Sequence, residues 1–121
     1  MDLIVDSGAT KADWIALDNN GKISFSTQTL GLNPHVLTTS ILSERIINNF
    51  EIFRNRKNFK NIYFYGAGCG VKTSIDRMYK VFDDIFENCK FNIKEDTYAA
   101  VYASATIGEK SIVCILGTGS N

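Results

Sequence analysis

Short apolar runs and one alternating segment in the first part of the chain predict β-strands. Residues 3–5 form a short apolar run, the segment ADWIAL begins at Ala12, and residues 23–27 alternate between larger side chains and serine. A period of two is typical of a strand with one exposed face. The turn-forming residues 18–21 separate the second run from the third. The opening is therefore predicted to be a three-stranded antiparallel meander.

A helical period begins after Pro34. One set of apolar residues recurs every three or four positions: Leu42, Ile46, Phe50 and Phe53. This set predicts one amphipathic helix over about residues 36–54. A second helix is indicated by Ile75, Met78, Tyr79, Phe82, Ile85 and Phe86, with Thr73 and Asp76 as a variant capping box. An alanine-rich third helix follows near residues 98–105, and strands are predicted at 62–65, 91–93 and 112–116.

Composition narrows the class of function. The chain is 45% hydrophobic and 21% charged, and its 13 basic residues balance 13 acidic ones. A balanced charge offers no bulk attraction to nucleic acid or to an anionic membrane, so small-molecule chemistry is favoured. The cysteines at 69, 89 and 114 form no paired motif, and no signal peptide is recognisable. We therefore expect a cytoplasmic protein, with the single His35 in the first turn of a helix rather than on a metal.

Three glycine-containing loops are candidates for chemistry. DSGATK, residues 6–11, is either a simple turn in which Gly8 takes a positive φ, or a loop that binds a polyphosphate. In the second interpretation the amides of Gly8 to Thr10 face the phosphates and Asp6 holds Mg²⁺. GAGCG, residues 66–70, lacks the spacing of a dinucleotide fingerprint and is interpreted as a strand-to-helix turn. GTGSN, residues 117–121, is interpreted as a plain hairpin turn when it is taken alone.

Asp96 has two interpretations that the sequence leaves open. An acid directly before an alanine-rich helix is the expected N-cap. The same position follows a predicted strand, which is where open α/β sheets place their chemistry, and a carboxylate there can accept a proton from a hydroxyl. Asn33, in GLNPH, is in isolation a loop residue before proline.

The order of these motifs along the chain resembles the sugar kinase, Hsp70 and actin superfamily. More narrowly, it resembles the N-acetylglucosamine kinase and BadF/BadG/BcrA/BcrD-type ATPase family, over the whole chain but only the N-terminal part of such a protein. The resemblance implies a ribonuclease H-like α/β fold, with a mixed five-stranded sheet of three antiparallel and two parallel strands and flanking helices. Residues 1–110 would form this actin-like ATPase lobe, and residues 111–121 would begin a second, truncated lobe.

The resemblance also implies a role for each candidate residue. ATP would lie between the lobes, with Asp6 placing Mg²⁺. Phosphate contacts would come from both glycine loops: Gly8, Thr10, Lys11, Gly117, Thr118 and Gly119. Asp96 would be the catalytic base that deprotonates a sugar 6-hydroxyl. The amino sugar would also contact Asn33, Ser120 and Asn121.

The expected function is thus that of an ATP-dependent amino-sugar kinase, with little activity in this piece alone because a closed, dry cleft needs both lobes. Two alternatives stay open. One is an ATPase that couples hydrolysis to a partner protein, and the other is a non-catalytic fragment. The predicted strand at 112–116 would expose an apolar edge, which predicts a homodimer or strand-swapped self-association.

Overall fold

The computed structural model describes residues 1–95 of the 121-residue chain. The elements in chain order are β1 (Asp2–Ser7), β2 (Lys11–Leu17), β3 (Ile23–Leu30), α1 (Thr39–Ile47), α2 (Phe50–Arg54), β4 (Asn61–Gly66), α3 (Lys72–Ile85) and β5 (Lys90–Glu95). The strands form one five-stranded sheet in the order β3-β2-β1-β4-β5. The first three strands are antiparallel, and β4 and β5 are parallel to β1. The predicted mixed sheet of an actin-like ATPase lobe is confirmed.

One face of the sheet carries the main hydrophobic core. Val5 pairs with Trp14 on β2 and with Phe64 on β4, and all three side chains are fully buried. Phe64 meets Phe82 of α3 edge to face, with 5.3 Å between ring centroids. Burying each such side chain contributes about 1.5–3 kcal/mol. The core therefore fixes the centre of the sheet, where antiparallel and parallel pairing meet, beneath the helices.

The opposite face of the sheet is apolar as well. Ile4, Ile15 and Tyr65 are buried, although strand alternation directs them away from the side of Val5 and Trp14. A strand that is buried on both faces has no polar alternation. This two-sided burial explains why residues 3–5 of β1 form an uninterrupted apolar run.

The single helix predicted over residues 36–54 is wrong, because the structure has two helices there. Thr38 caps α1, its hydroxyl accepting a hydrogen bond from Ile41 N at 3.2 Å. A second cap interrupts the helix, where Asn49 Oδ1 accepts from Ile52 N at 3.1 Å. Asparagine side chains compete with helical backbone bonds in this way, so they favour caps over helix interiors. The break leaves Phe50 71% exposed, although its spacing had suggested a core position.

The helix α3 matches its predicted apolar face but not its predicted start. Met78, Phe82 and Ile85 are buried, as their spacing indicated, whereas Tyr79 of the same predicted face is 47% exposed. The N-cap residue is Val71, which makes no side-chain capping bond, and Thr73 lies inside the first turn. The capping-box interpretation is therefore wrong. The prediction for His35 is wrong as well, because that residue lies in a turn before α1 begins.

Three predicted features of the fold concern residues outside the described part of the chain. They are the alanine-rich helix, the strand at 112–116 and the lobe boundary near residue 110. Within residues 1–95, no helix combines the length and the apolar character needed to cross a membrane.

Candidate functional site

The carboxyl ends of the parallel strands β1, β4 and β5 lie side by side along one border of the sheet, which is called the carboxyl edge below. Ser7 is the register partner of Gly66, and Gly66 is the partner of Glu95. The DSGATK turn leaves this edge from β1, and the GAGCG loop leaves it from β4. Ligands of open α/β sheets bind outside the carboxyl ends of strands. This edge is therefore the candidate site.

The DSGATK turn is a tight connection between β1 and β2. Gly8 N donates to Lys11 O at 2.9 Å, and the residues from Ala9 to Lys11 are exposed. Gly8 does not have a positive φ, so that part of the simple-turn interpretation is wrong. A Cβ added at Gly8 would meet only Lys11 O, at an ordinary 3.6 Å. The fold itself does not require glycine here, and the missing side chain leaves open space beside the turn.

The GLNPH loop packs directly on this turn. Gly31 N donates to Thr10 O at 2.9 Å. A Cβ at Gly31 would lie 2.7 Å from the carbonyl oxygens of Gly8 and Ala9, so only glycine fits here without a shift of the backbone. The buried Ser7 hydroxyl accepts from Leu32 N at 2.8 Å. Backbone approach and a buried hydrogen bond thus fasten GLNPH to the end of β1.

Asn33 extends the contact from the first turn to the GAGCG loop. Its Oδ1 accepts from His35 N at 2.9 Å, which orients the side chain. Gly68 has a φ of +81°, and a Cβ there would collide with the side-chain amide of Asn33. Ala67 N donates to Ser7 O at 2.9 Å, tying GAGCG to β1. The structure therefore brings together three of the predicted loops at one edge, with Asn33 between two of them.

Glu95 brings a carboxylate to the far side of the GAGCG loop. A Cβ added at Gly70 would lie 2.5 Å from Glu95 Oε1. Asp96, the predicted catalytic base, is the next residue in the sequence and lies outside the described residues. The same holds for the predicted phosphate and sugar contacts near the end of the sequence: Gly117, Thr118, Gly119, Ser120 and Asn121.

Asp13 is a second carboxylate beside Asp6 that the sequence analysis did not consider. Asp6 lies half-buried on β1, and its register partner on β2 is Asp13, so the two residues share a face of the sheet. Asp13 Oδ1 accepts from Gln28 Nε2 at 2.6 Å. The signal was present in the sequence, because a short turn between two strands fixes which residues face each other.

Two side chains away from the loops of this edge, Cys89 and Tyr63, have raised pKa values. Burial, and secondarily the charge of Asp2, raises the pKa of Cys89 to about 11. The same two causes raise the pKa of Tyr63. Asp2 begins β1 and Cys89 directly precedes β5, so both belong to the opposite edge of the sheet. The raised pKa of Cys89 therefore arises at the end of the sheet opposite the candidate site.

Comparison with known proteins supports the fold class. No protein-family model matches the chain, and a search of curated proteins finds no match. Among solved structures, the chain is similar to a "putative N-acetylglucosamine kinase" from Porphyromonas gingivalis, with a TM-score of 0.74 and 27% identity over 85% of this chain. The chain spans 37% of the length of that protein. The fold of the described residues is therefore sugar kinase-like.

Proposed function

We propose that this chain is the N-terminal lobe of an ATP-dependent amino-sugar kinase. The observation that carries the proposal is the joining of DSGATK, GLNPH and GAGCG at the carboxyl edge of the parallel strands. The similarity to the Porphyromonas gingivalis protein supports the same assignment. In this proposal residues 1–110 form the first lobe and residues 111–121 begin the second. The narrower relation to BadF/BadG/BcrA/BcrD-type ATPases is part of the proposal.

The DSGATK turn is proposed to face the phosphates of ATP. Two main-chain hydrogen bonds of this turn join Gly8 N to Lys11 O and Gly31 N to Thr10 O. The main-chain amides of Ala9 and Thr10 take part in neither bond. Open space at Gly8 lets phosphate approach the backbone, and the exposed Lys11 adds positive charge. Gly117, Thr118 and Gly119 would supply the second phosphate loop.

Asp6 fits a magnesium ion that arrives with the nucleotide. Within residues 1–95, no three acidic, histidine or cysteine side chains form a preassembled metal cluster. Mg²⁺ commonly uses one or two carboxylates and completes its shell with water and substrate phosphates. A half-buried carboxylate beside the turn suits that chemistry. Bound Mg²⁺ would neutralise phosphate charge during transfer.

The sugar is proposed to lie on the GAGCG side of the edge. Asn33, held against Gly68, offers an amide for sugar hydroxyl or acetamido groups. Asp96 would accept the proton of the sugar hydroxyl as that oxygen attacks the γ-phosphorus and ADP leaves. Ser120 and Asn121 would complete the sugar contacts. Phosphoryl transfer depends mainly on such alignment and on charge neutralisation.

Asp96→Asn in the full-length protein tests the proposal. Loss of a general base should lower kcat by about 10²–10⁴-fold, with little change in the KM for ATP. The assay measures ADP formation with a panel of amino sugars. Asp76→Asn is a matched control, because Asp76 is an exposed carboxylate on α3, 4.0 Å from Lys72 Nζ.

Each outcome of this assay has a distinct meaning. An unchanged rate in Asp96→Asn would remove Asp96 from the chemistry. A lack of sugar-dependent ADP formation would refute the kinase proposal. ATP turnover without sugar, stimulated by a partner protein, would instead support the coupled ATPase.

A further inference from the structure

Arg77 of α3 forms two hydrogen bonds with the segment that follows Asn33. Its two terminal nitrogens donate separately to main-chain carbonyls, Nη1 to Pro34 O and Nη2 to Leu37 O, each at 2.6 Å. The side chain is half-buried between α3 and this segment. The planar guanidinium fork is suited to two acceptors held at fixed separation, and charge-assisted bonds of this kind are the stronger ones.

The two carbonyls that accept from Arg77 belong to a turn in which Asn33 accepts three further hydrogen bonds. Val36 N and Leu37 N donate to Asn33 O at 3.3 and 3.0 Å. His35 N donates to the Asn33 side chain at 2.9 Å. Both the backbone and the amide of Asn33 are therefore fixed by the turn that Arg77 holds.

A different arginine holds the other end of the same loop. Arg45 of α1 donates to Gly31 O at 2.5 Å, where the loop packs on the DSGATK turn. Arg45 thus acts next to the proposed nucleotide side. Arg77 acts next to Asn33 and Gly68, on the proposed sugar side.

We propose that Arg77 is a positioning residue that sets Asn33 against the GAGCG loop and so determines sugar affinity. This inference rests on the proposed function, since it assigns a support to the proposed sugar contact. Arg77 touches no reacting atom and acts through the turn. Its loss should weaken sugar binding while leaving nucleotide binding intact.

Substitution of Arg77 in the full-length protein tests this role. Arg77→Gln should raise the KM for N-acetylglucosamine about tenfold, since two charge-assisted bonds are lost, and should change the KM for ATP less than about twofold. Hydrogen exchange of the Val36 and Leu37 amides should become faster. Arg77→Lys should recover part of the sugar affinity, because one ammonium can still reach a carbonyl.

Two further variants separate positioning from general damage. In an Asn33→Ala background, Arg77→Gln should have little additional effect on the sugar KM, because residues that act through one another are not additive. Arg56→Gln is the matched control. Arg56 also donates to a main-chain carbonyl, Phe53 O at 2.9 Å, but lies just beyond α2.

The outcomes distinguish this inference from the proposed function. Unchanged exchange at Val36 and Leu37, or an unchanged sugar KM, would overturn the role of Arg77. Additive effects of Arg77→Gln and Asn33→Ala would overturn it as well. If the unmodified protein phosphorylates no amino sugar, the proposed function fails, and hydrogen exchange alone then decides whether Arg77 holds the turn.

Discussion

Gly8 and Gly31 lie on opposite sides of one contact, yet the fold needs only one of them as glycine. A methyl group at Gly31 would lie only 2.7 Å from the carbonyl oxygens of Gly8 and Ala9. One at Gly8 would have a single neighbour, Lys11 O, at an ordinary contact distance of 3.6 Å. Gly8 also lacks the positive φ that would exclude alanine. Neither backbone conformation nor close packing therefore requires glycine at position 8, which is consistent with the proposed phosphate contact.

Alanine substitutions at the two glycines should separate stability from binding. Gly31→Ala should lower the free energy of unfolding by about 1–3 kcal/mol through overpacking. Gly8→Ala should change it by less than about 1 kcal/mol, but weaken ATP binding at least about tenfold by blocking phosphate approach. Urea denaturation and calorimetric titration with Mg²⁺-ATP measure the two effects. Unchanged ATP affinity in Gly8→Ala would contradict the proposed phosphate contact.

At the residue scale the order of motifs singled out candidate site residues, whose roles are still predictions. Asn33 stood out because a loop asparagine follows a strand in a known order of motifs. The partners of Ser7 and Arg77 could not be found in this way. Ser7 contacts Leu32, 25 residues away, and Arg77 contacts Pro34, 43 residues away. Such pairs depend on how the elements pack, and no short motif encodes that packing.

At the scale of elements, strand patterns were more reliable than the helix pattern. The apolar run of β1 and the alternation of β3 predicted strands that the structure contains. The break between α1 and α2 was missed, because Asn49 serves as a cap and also binds a strand. Its Nδ2 donates to Thr27 Oγ1 at 2.9 Å and to Gln28 O at 3.1 Å. Helical periodicity alone carries no information about those bonds to β3.

Replacement of Asn49 tests whether this residue sets the break. Asn49→Ala removes the cap of α2 and two bonds to β3, so it should lower the free energy of unfolding by about 1–2 kcal/mol. Asn48→Ala is the matched control, because Asn48 is exposed and already in the right-handed helical region. Chemical denaturation of both variants measures the difference. Equal losses in the two variants would show that the side chain of Asn49 does not set the break.

At the scale of the whole molecule, the order of motifs predicted the sheet. The meander and the two parallel strands form the predicted mixed sheet, and the similar solved structure has the same kind of fold, although this chain covers only 37% of it. The second phosphate loop and Asp96 lie outside the described residues, so their convergence with DSGATK stays a prediction. Self-association through the strand at 112–116 is likewise still a prediction.

The central claim is that nucleotide and sugar meet at the carboxyl edge of the parallel strands. The most direct test is the change in amide chemical shifts of the isotopically labelled full-length protein on addition of each ligand. A magnesium complex of a non-hydrolysable ATP analogue should shift the amides of Gly8 and Thr10, and N-acetylglucosamine should shift those of Asn33 and Gly68. If these four amides stay unchanged while both ligands are saturating, the claim is contradicted.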